Sequence, residues 1–251
     1  MLETYYDGRG GYLDPAEFEF ARALEENYPA IREEALRLMS ERVWVPYFAK
    51  ETYVGQWDLF WLMAGGVFQK KNSRLCPKTS EVLARFPEIK YALFSAINPG
   101  TKLVPHTGAI GITRTHLVLQ SDPEKAAWRV AGEVRKAVEG KTVMFEDGLL
   151  HEAWNDDDRP RITLQVTMAS PNLSPAEIAE VYRRHDLQFG FLYFVKTLAK
   201  GSKFTLRCYD LALPVLEVIE KPVTRFVATI KPALVFLAGL FFKRKALNVK
   251  R

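Results

Sequence analysis

From residue 14 to residue 41, apolar side chains recur three and four positions apart: Phe18, Ala21 and Leu24, then Ile31, Ala35 and Leu38. That period belongs to an α-helix with one buried stripe. Asp14-Pro15 ahead of it pairs a good N-cap with a residue suited to the first helical turn. The stretch predicts a helical cover that packs on something else. Residues 42–75 are rich in aromatics (Trp44, Tyr47, Phe48, Trp57, Phe60, Trp61, Phe68), and a further helix is expected from Lys78 to Phe86.

Beyond Ile89 the period shortens. Runs of β-branched and aromatic residues, broken by Gly, Pro and Asp, predict strands at Tyr91–Ile97, Ile112–Gln120, Ala127–Ala131, Lys141–Glu146 and Arg161–Met168. In the last of these Arg161, Thr163, Gln165 and Thr167 share one face, and Ile162, Leu164, Val166 and Met168 share the other. In the second, Arg114 and His116 fall on one face by the same rule. A polar row directed away from an apolar one suits a sandwich or barrel whose interior is a binding site.

After Pro171 the helical pattern returns, with Ser174-Pro175-Ala176-Glu177 as its start. The segment from Ala233 to Phe242 is uninterruptedly apolar, and Lys243-Arg244-Lys245 follows it. Ten residues are too few to cross a bilayer, which takes roughly 20 in a helix. An apolar run with a basic end suits the headgroup region of an anionic membrane, giving peripheral contact through 226–251; it equally suits a terminal helix docked on protein. The expected division is a helical and aromatic cover over 1–87, a β core over 88–175 and a helical, apolar region with a basic tail over 176–251.

Charge and composition narrow the function. The net charge of +5 is matched by the five basic groups of residues 243–251, so the rest of the chain is neutral. No basic face for nucleic acid is expected on the folded body. Cys76 and Cys208 make no disulfide framework, and residues 1–10 lack a secretory pattern. Cytoplasmic residence, peripheral at the inner membrane face if the tail binds lipid, is the expectation.

Three of the four histidines (His106, His116 and His151) lie within 46 residues. Histidine is the commonest metal ligand, and two histidines with an arginine after the second suggest iron chemistry on a 2-oxo acid. Each alone would pass for an ordinary histidine near a strand end. Together, Pro105-His106-Thr107-Gly108, Arg114-Thr115-His116-Leu117, His151-Glu152-Ala153-Trp154 and Arg161 resemble the aspartyl/asparaginyl β-hydroxylase family over about residues 85–175. The resemblance implies a mainly β fold with flanking helices: a double-stranded β-helix (jelly-roll, cupin-like) core, an N-terminal helical cover and C-terminal helices.

It also implies an Fe(II)- and 2-oxoglutarate-dependent dioxygenase, consuming O2 and hydroxylating a C–H bond. His106 and His151 match the iron ligands. Arg161 matches the anchor of the distal carboxylate of 2-oxoglutarate, which a guanidinium grips with two parallel hydrogen bonds; Pro160 and the strand phase favour it over Arg159. Ser95 matches a residue holding the same carboxylate, and Arg114 and His116 match residues holding the end nearest the metal. The usual iron site adds a carboxylate, but Gly108 stands two residues after His106. Animal members of the family share that lack, leaving the place to water or an added anion, as in a halogenase. Of the acids near His151 (Glu146, Asp147, Glu152 and residues 156–158), one is expected to orient that ring and most to form a solvated turn. His185, outside every motif, is expected at the surface.

The substrate implied first is a peptidyl Asp or Asn, or a related amino acid. The alternative is the acyl chain of a membrane lipid, of the lipid A or ornithine-lipid type. A second alternative is a β-barrel binding module without catalysis, against which all six site residues are present.

Overall fold

A computed structural model describes residues 11–41, 44–47 and 52–185. The apolar run 233–242, the tail contact over 226–251, Cys208 and the extreme N-terminus lie outside the described residues.

The chain order is β1 (Tyr12–Leu13), α1 (Glu19–Glu26), α2 (Tyr28–Ser40), β2 (Val45–Pro46), β3 (Tyr53–Val54), β4 (Trp57–Ala64), β5 (Val67–Phe68), α3 (Lys70–Leu75) and α4 (Pro77–Ala84). The core follows with β6 (Tyr91–Ile97), β7 (Thr101–His106), β8 (Ile112–Gln120), β9 (Ala126–Val130), β10 (Glu133–Lys136), β11 (Thr142–Glu146), β12 (His151–Asn155) and β13 (Arg161–Ala169). A last helix is described over 175–185.

Strands β6 to β13 pair like one long hairpin. β9 pairs with β10, β8 with β11, β7 with β12 and β6 with β13, all antiparallel. The nested hairpin is rolled so that β6, β8, β11 and β13 lie in an eight-stranded sheet and β7, β9, β10 and β12 in a five-stranded one. Two seams, β8 with β13 and β9 with β12, join successive turns. This is a double-stranded β-helix.

The polar and apolar faces expected on β13 are both buried, for different reasons. Ile162, Leu164, Val166 and Met168 pack with Phe20, Leu24, Ile31 and Leu38 beneath α1 and α2. The opposite face looks toward the small sheet, where Val118, Trp128, Val130, Val143 and Phe145 form a second cluster. The helices thus seal the back of the large sheet and leave the inter-sheet space for the site.

The single helix read over 14–41 is three pieces. Asp14 does cap a first turn, its carboxylate accepting from the Ala16 N–H at 2.9 Å, but that turn is a 3-10 helix over Pro15–Glu17. Pro29 then separates α1 from α2, because proline has no N–H to continue an α-helical ladder. Within the aromatic stretch expected as cover, β4 is a full strand of the large sheet, paired with β6. Its sequence, Trp57-Asp-Leu-Phe-Trp-Leu-Met-Ala64, is apolar on both faces, and both faces are largely buried.

Among the described residues the register slips in three pairings, and one slip falls beside the histidine pair. His151 faces His106 and Ala153 faces Leu103, so one residue of β12, Glu152, opposes two of β7, Val104 and Pro105. A bulge of this kind inserts one residue and bends its strand. Leu103 and His106 can therefore both turn inward although an odd number of positions separates them.

Phe94 is fully buried where the helical layer meets the large sheet. Phe94→Ala should lower stability by about 3–5 kcal/mol, read as an earlier urea midpoint with an unchanged slope.

Candidate active site

The nested pairing brings the site together. His106 and His151 are direct cross-strand partners, with ring centroids 4.3 Å apart. Each ring is held the same way: His106 Nδ1 lies 2.7 Å from the Val104 carbonyl and His151 Nδ1 2.7 Å from the Leu149 carbonyl. A carbonyl only accepts, so Nδ1 carries a proton in both rings, and in the neutral tautomer this leaves the lone pair on Nε2. Burial lowers the His151 pKa, which keeps that ring neutral at pH 7. Among the described residues no group of three or more His, Cys, Asp or Glu side chains is placed to hold a metal, so the candidate ligands are two imidazoles.

The remaining residues named from sequence line the same space. Phe145 lies 5.0 Å from His151 and stacks on His116 at 5.7 Å. His116 in turn lies 5.2 Å from Trp128, and the Arg161 guanidinium sits 4.1 Å above that indole. The histidine pair and Arg161 are therefore the two ends of one continuous wall. Burial holds the His116 pKa well below its usual value, the charge of Arg161 adding to the effect. Phe145 is packing that touches two of the three histidines named from sequence.

Arg161 is 2% exposed, and among the described residues its acceptors are the carbonyls of Ala127 at 3.1 Å and Trp154 at 3.3 Å, both reached by Nη1. Its Nε is buried without a hydrogen-bond partner. Burial pulls its pKa down to about 9, which leaves the guanidinium charged at neutral pH. A buried cation without a paired carboxylate is costly unless an anion joins it.

Ser95 lies beside it in the sheet, across from Thr163. Trp57 Nε1 donates to Ser95 Oγ at 2.8 Å. Indole can only donate, so the serine is held as an acceptor there and its own O–H is free to point at an anion. Trp57 was not legible as a site residue: it stands among seven other aromatics in residues 42–75 and carries no motif.

Asp147 is the other residue that sequence left undifferentiated. It is 3% exposed rather than part of a solvated turn. It takes Arg114 in a two-point grip, Nε to Oδ1 at 2.8 Å and Nη2 to Oδ2 at 3.1 Å, and accepts from the Ala109 N–H at 2.8 Å. Its carboxylate lies over Gly108, where a Cβ would overlap Oδ1, Cγ and Oδ2. Its Oδ1 is 3.8 Å from His151 Nε2. Despite burial, the Arg114 charge keeps the Asp147 pKa below the usual carboxylate value. Asp157, 5% exposed and bridged to Lys125, is a second buried acid in the group expected to be solvated.

His185 is a correction. It is 5% exposed, its ring packs 4.7 Å from Tyr91, and burial lowers its pKa to about 4. The helix over 175–185 folds back so that this residue, outside every motif, is covered.

A rolled double-stranded β-helix with two aimed imidazoles at one end of its interior and, at the other, a buried guanidinium met among the described residues by carbonyls and an indole face suits an oxygenase-like site. Residues 25–171 match the Aspartyl/Asparaginyl beta-hydroxylase family, a wider span than the motifs cover, and the chain belongs to that family. It is 35% identical over 179 residues to the ornithine lipid ester-linked acyl 2-hydroxylase of Rhizobium tropici, covering 67% of this chain and 64% of that protein. It is 32% identical over 173 residues to the human aspartyl/asparaginyl beta-hydroxylase, covering 63% of this chain and 22% of that protein. The chain thus spans less than two thirds of either relative. Among solved structures, a Pseudomonas putida prolyl-4-hydroxylase overlaps 58% of this chain and 87% of its own at 16% identity and a TM-score of 0.42, too loose a likeness to carry an argument.

Gly108→Ala should destabilise by about 1–3 kcal/mol, because the new methyl overlaps the Asp147 carboxylate. In an Asp147→Ala background the same change should cost far less. A double-mutant cycle by urea unfolding checks this, and additive values would mean that the two positions do not compete for space.

Proposed function

We propose that the chain is an Fe(II)- and 2-oxoglutarate-dependent dioxygenase that hydroxylates a C–H bond. The observation that carries this is Arg161, a buried guanidinium with an unpartnered Nε at one end of an interior whose other end presents two Nε2 lone pairs. A 2-oxo dicarboxylate fits that arrangement. Arg161 and the Ser95 hydroxyl would take its distal carboxylate, and His106 and His151 would hold the iron. Arg114 and His116 would border its 2-oxo acid end. When bound, iron with 2-oxoglutarate supplies the O2-derived oxidant, and the protein supplies position and a dry pocket.

The chain's own groups have defined tasks. Trp57 fixes which way Ser95 donates. Trp128 covers the flat face of Arg161 and excludes water from it. Asp147 neutralises Arg114 and fills the space over Gly108, which argues for water and against a halide beside the histidines. The complete set of six residues argues against a binding module without catalysis.

For the substrate, the human relative supports a peptidyl Asp or Asn. The match to the lipid enzyme, which spans 64% of that protein, supports an acyl chain as the second reading. With it goes a cytoplasmic protein peripheral at the inner membrane face, through the apolar run 233–242 and its basic end. Among the described residues no helix is long and apolar enough to cross a membrane.

Anaerobic titration of the iron-loaded protein with 2-oxoglutarate, followed by its visible absorption band, tests the reading. Arg161→Ala should need about 30- to several-thousand-fold more 2-oxoglutarate, the 2–5 kcal/mol range for truncating one partner of a buried charge pair. His106→Ala should abolish the band. A wild type with no band at any concentration would leave the non-catalytic module as the better account.

A further inference from the structure

The inner face of β13 carries four polar side chains: Arg161, Thr163, Gln165 and Thr167. Three of them are engaged. Thr163 Oγ1 lies 3.4 Å from His116 Nδ1, Thr167 Oγ1 accepts from Arg114 Nη1 at 2.8 Å, and Arg161 Nη1 donates to two carbonyls. The fourth is not: among the described residues the Gln165 carboxamide has no hydrogen-bond partner. It is also the one residue of β13 that is not buried.

The strand period fixes where Gln165 points. Ile162, Leu164 and Val166, on the other face, pack beneath the helices. Thr163 and Thr167, two positions to either side of Gln165, reach His116 and Arg114 in the interior. Gln165 is the direct cross-strand partner of His116 on β8 and of Leu93 on β6. Four positions separate it from Arg161, about 13 Å along a strand, so it stands well away from the distal anchor. The neighbouring His116 ring stacks on Phe145, which lies 5.0 Å from His151. Gln165 therefore belongs to the histidine end of the interior.

A carboxamide offers N–H donors and a carbonyl acceptor without a charge. Open to the interior and unpartnered by the fold, it bonds whatever fills that space. At this end Arg114 spends three of its N–H groups on Asp147 and Thr167. An anion arriving there draws on a further donor. Resting on the dioxygenase reading, we propose that Gln165 is an additional binding residue for 2-oxoglutarate. Its carboxamide N–H donates to the carboxylate of the 2-oxo acid end, while Arg161 and Ser95 take the other. Gln165 stands outside every string that carries the family resemblance.

The test is anaerobic titration of the fully iron-loaded chain with 2-oxoglutarate, reading the visible band in wild type, Gln165→Leu and Gln165→Glu. The leucine variant should need about 10- to 100-fold more 2-oxoglutarate, the loss of one hydrogen bond to a charged group. The glutamate variant should need more again, because an ionised carboxylate only accepts and repels the incoming anion. Urea midpoints of both should stay at the wild-type value, the position being accessible. An unchanged requirement in the two variants overturns the inference. So does an equal loss in both, a larger loss in the leucine variant, or a loss that tracks a lowered urea midpoint. A wild type without a band rejects the dioxygenase reading itself, and the role of Gln165 falls with it.

Discussion

A β-strand turns each face inward every second residue, and a slip of one position sends a whole row of side chains to the wrong side. Everything at this site depends on the one place where β7 breaks that rule. The extra residue between Leu103 and His106 lets the strand keep its apolar contact with the core and still aim a histidine at His151. An unbulged strand would have to give up one or the other. The rolled hairpin needs the pairing of β7 with β12, and the pair of imidazoles needs the irregularity within it.

Around that pair the protein treats its two arginines in opposite ways. Arg114 is neutralised by its own carboxylate, Asp147, which is itself buried and has room only because residue 108 is glycine. Arg161 is left with carbonyls and an aromatic face. A buried cation in a low-dielectric interior is tolerated when something compensates it. The first is compensated within the fold. The second is compensated only in part, and that difference is why Arg161, and not Arg114, is the one proposed to receive an anion.

Much of this was legible in the chain. The strands at Tyr91–Ile97 and Ile112–Gln120 stand where runs of β-branched and aromatic residues bounded by Gly, Pro and Asp put them. β4 was not legible: it is buried on both faces, so it has no alternation to read. β7 was missed for the reason that makes it useful, since its bulge and Pro105 interrupt the pattern. Six candidate site residues were nameable because they stand in recognisable strings. Trp57 and Asp147 were not, since an indole among many aromatics and an acid among several acids declare their roles only through the Ser95 hydroxyl and the Gly108 gap. The burial of His185 could be seen only once the last helix had folded back onto Tyr91.

The two imidazoles are aimed by carbonyls of their own chain, two residues upstream, and not by carboxylate side chains from elsewhere. A peptide carbonyl cannot be deleted by a point mutation, and it does not titrate. The aim of both rings is therefore set by the backbone path itself, and a side chain beside the pair can change without re-aiming either imidazole.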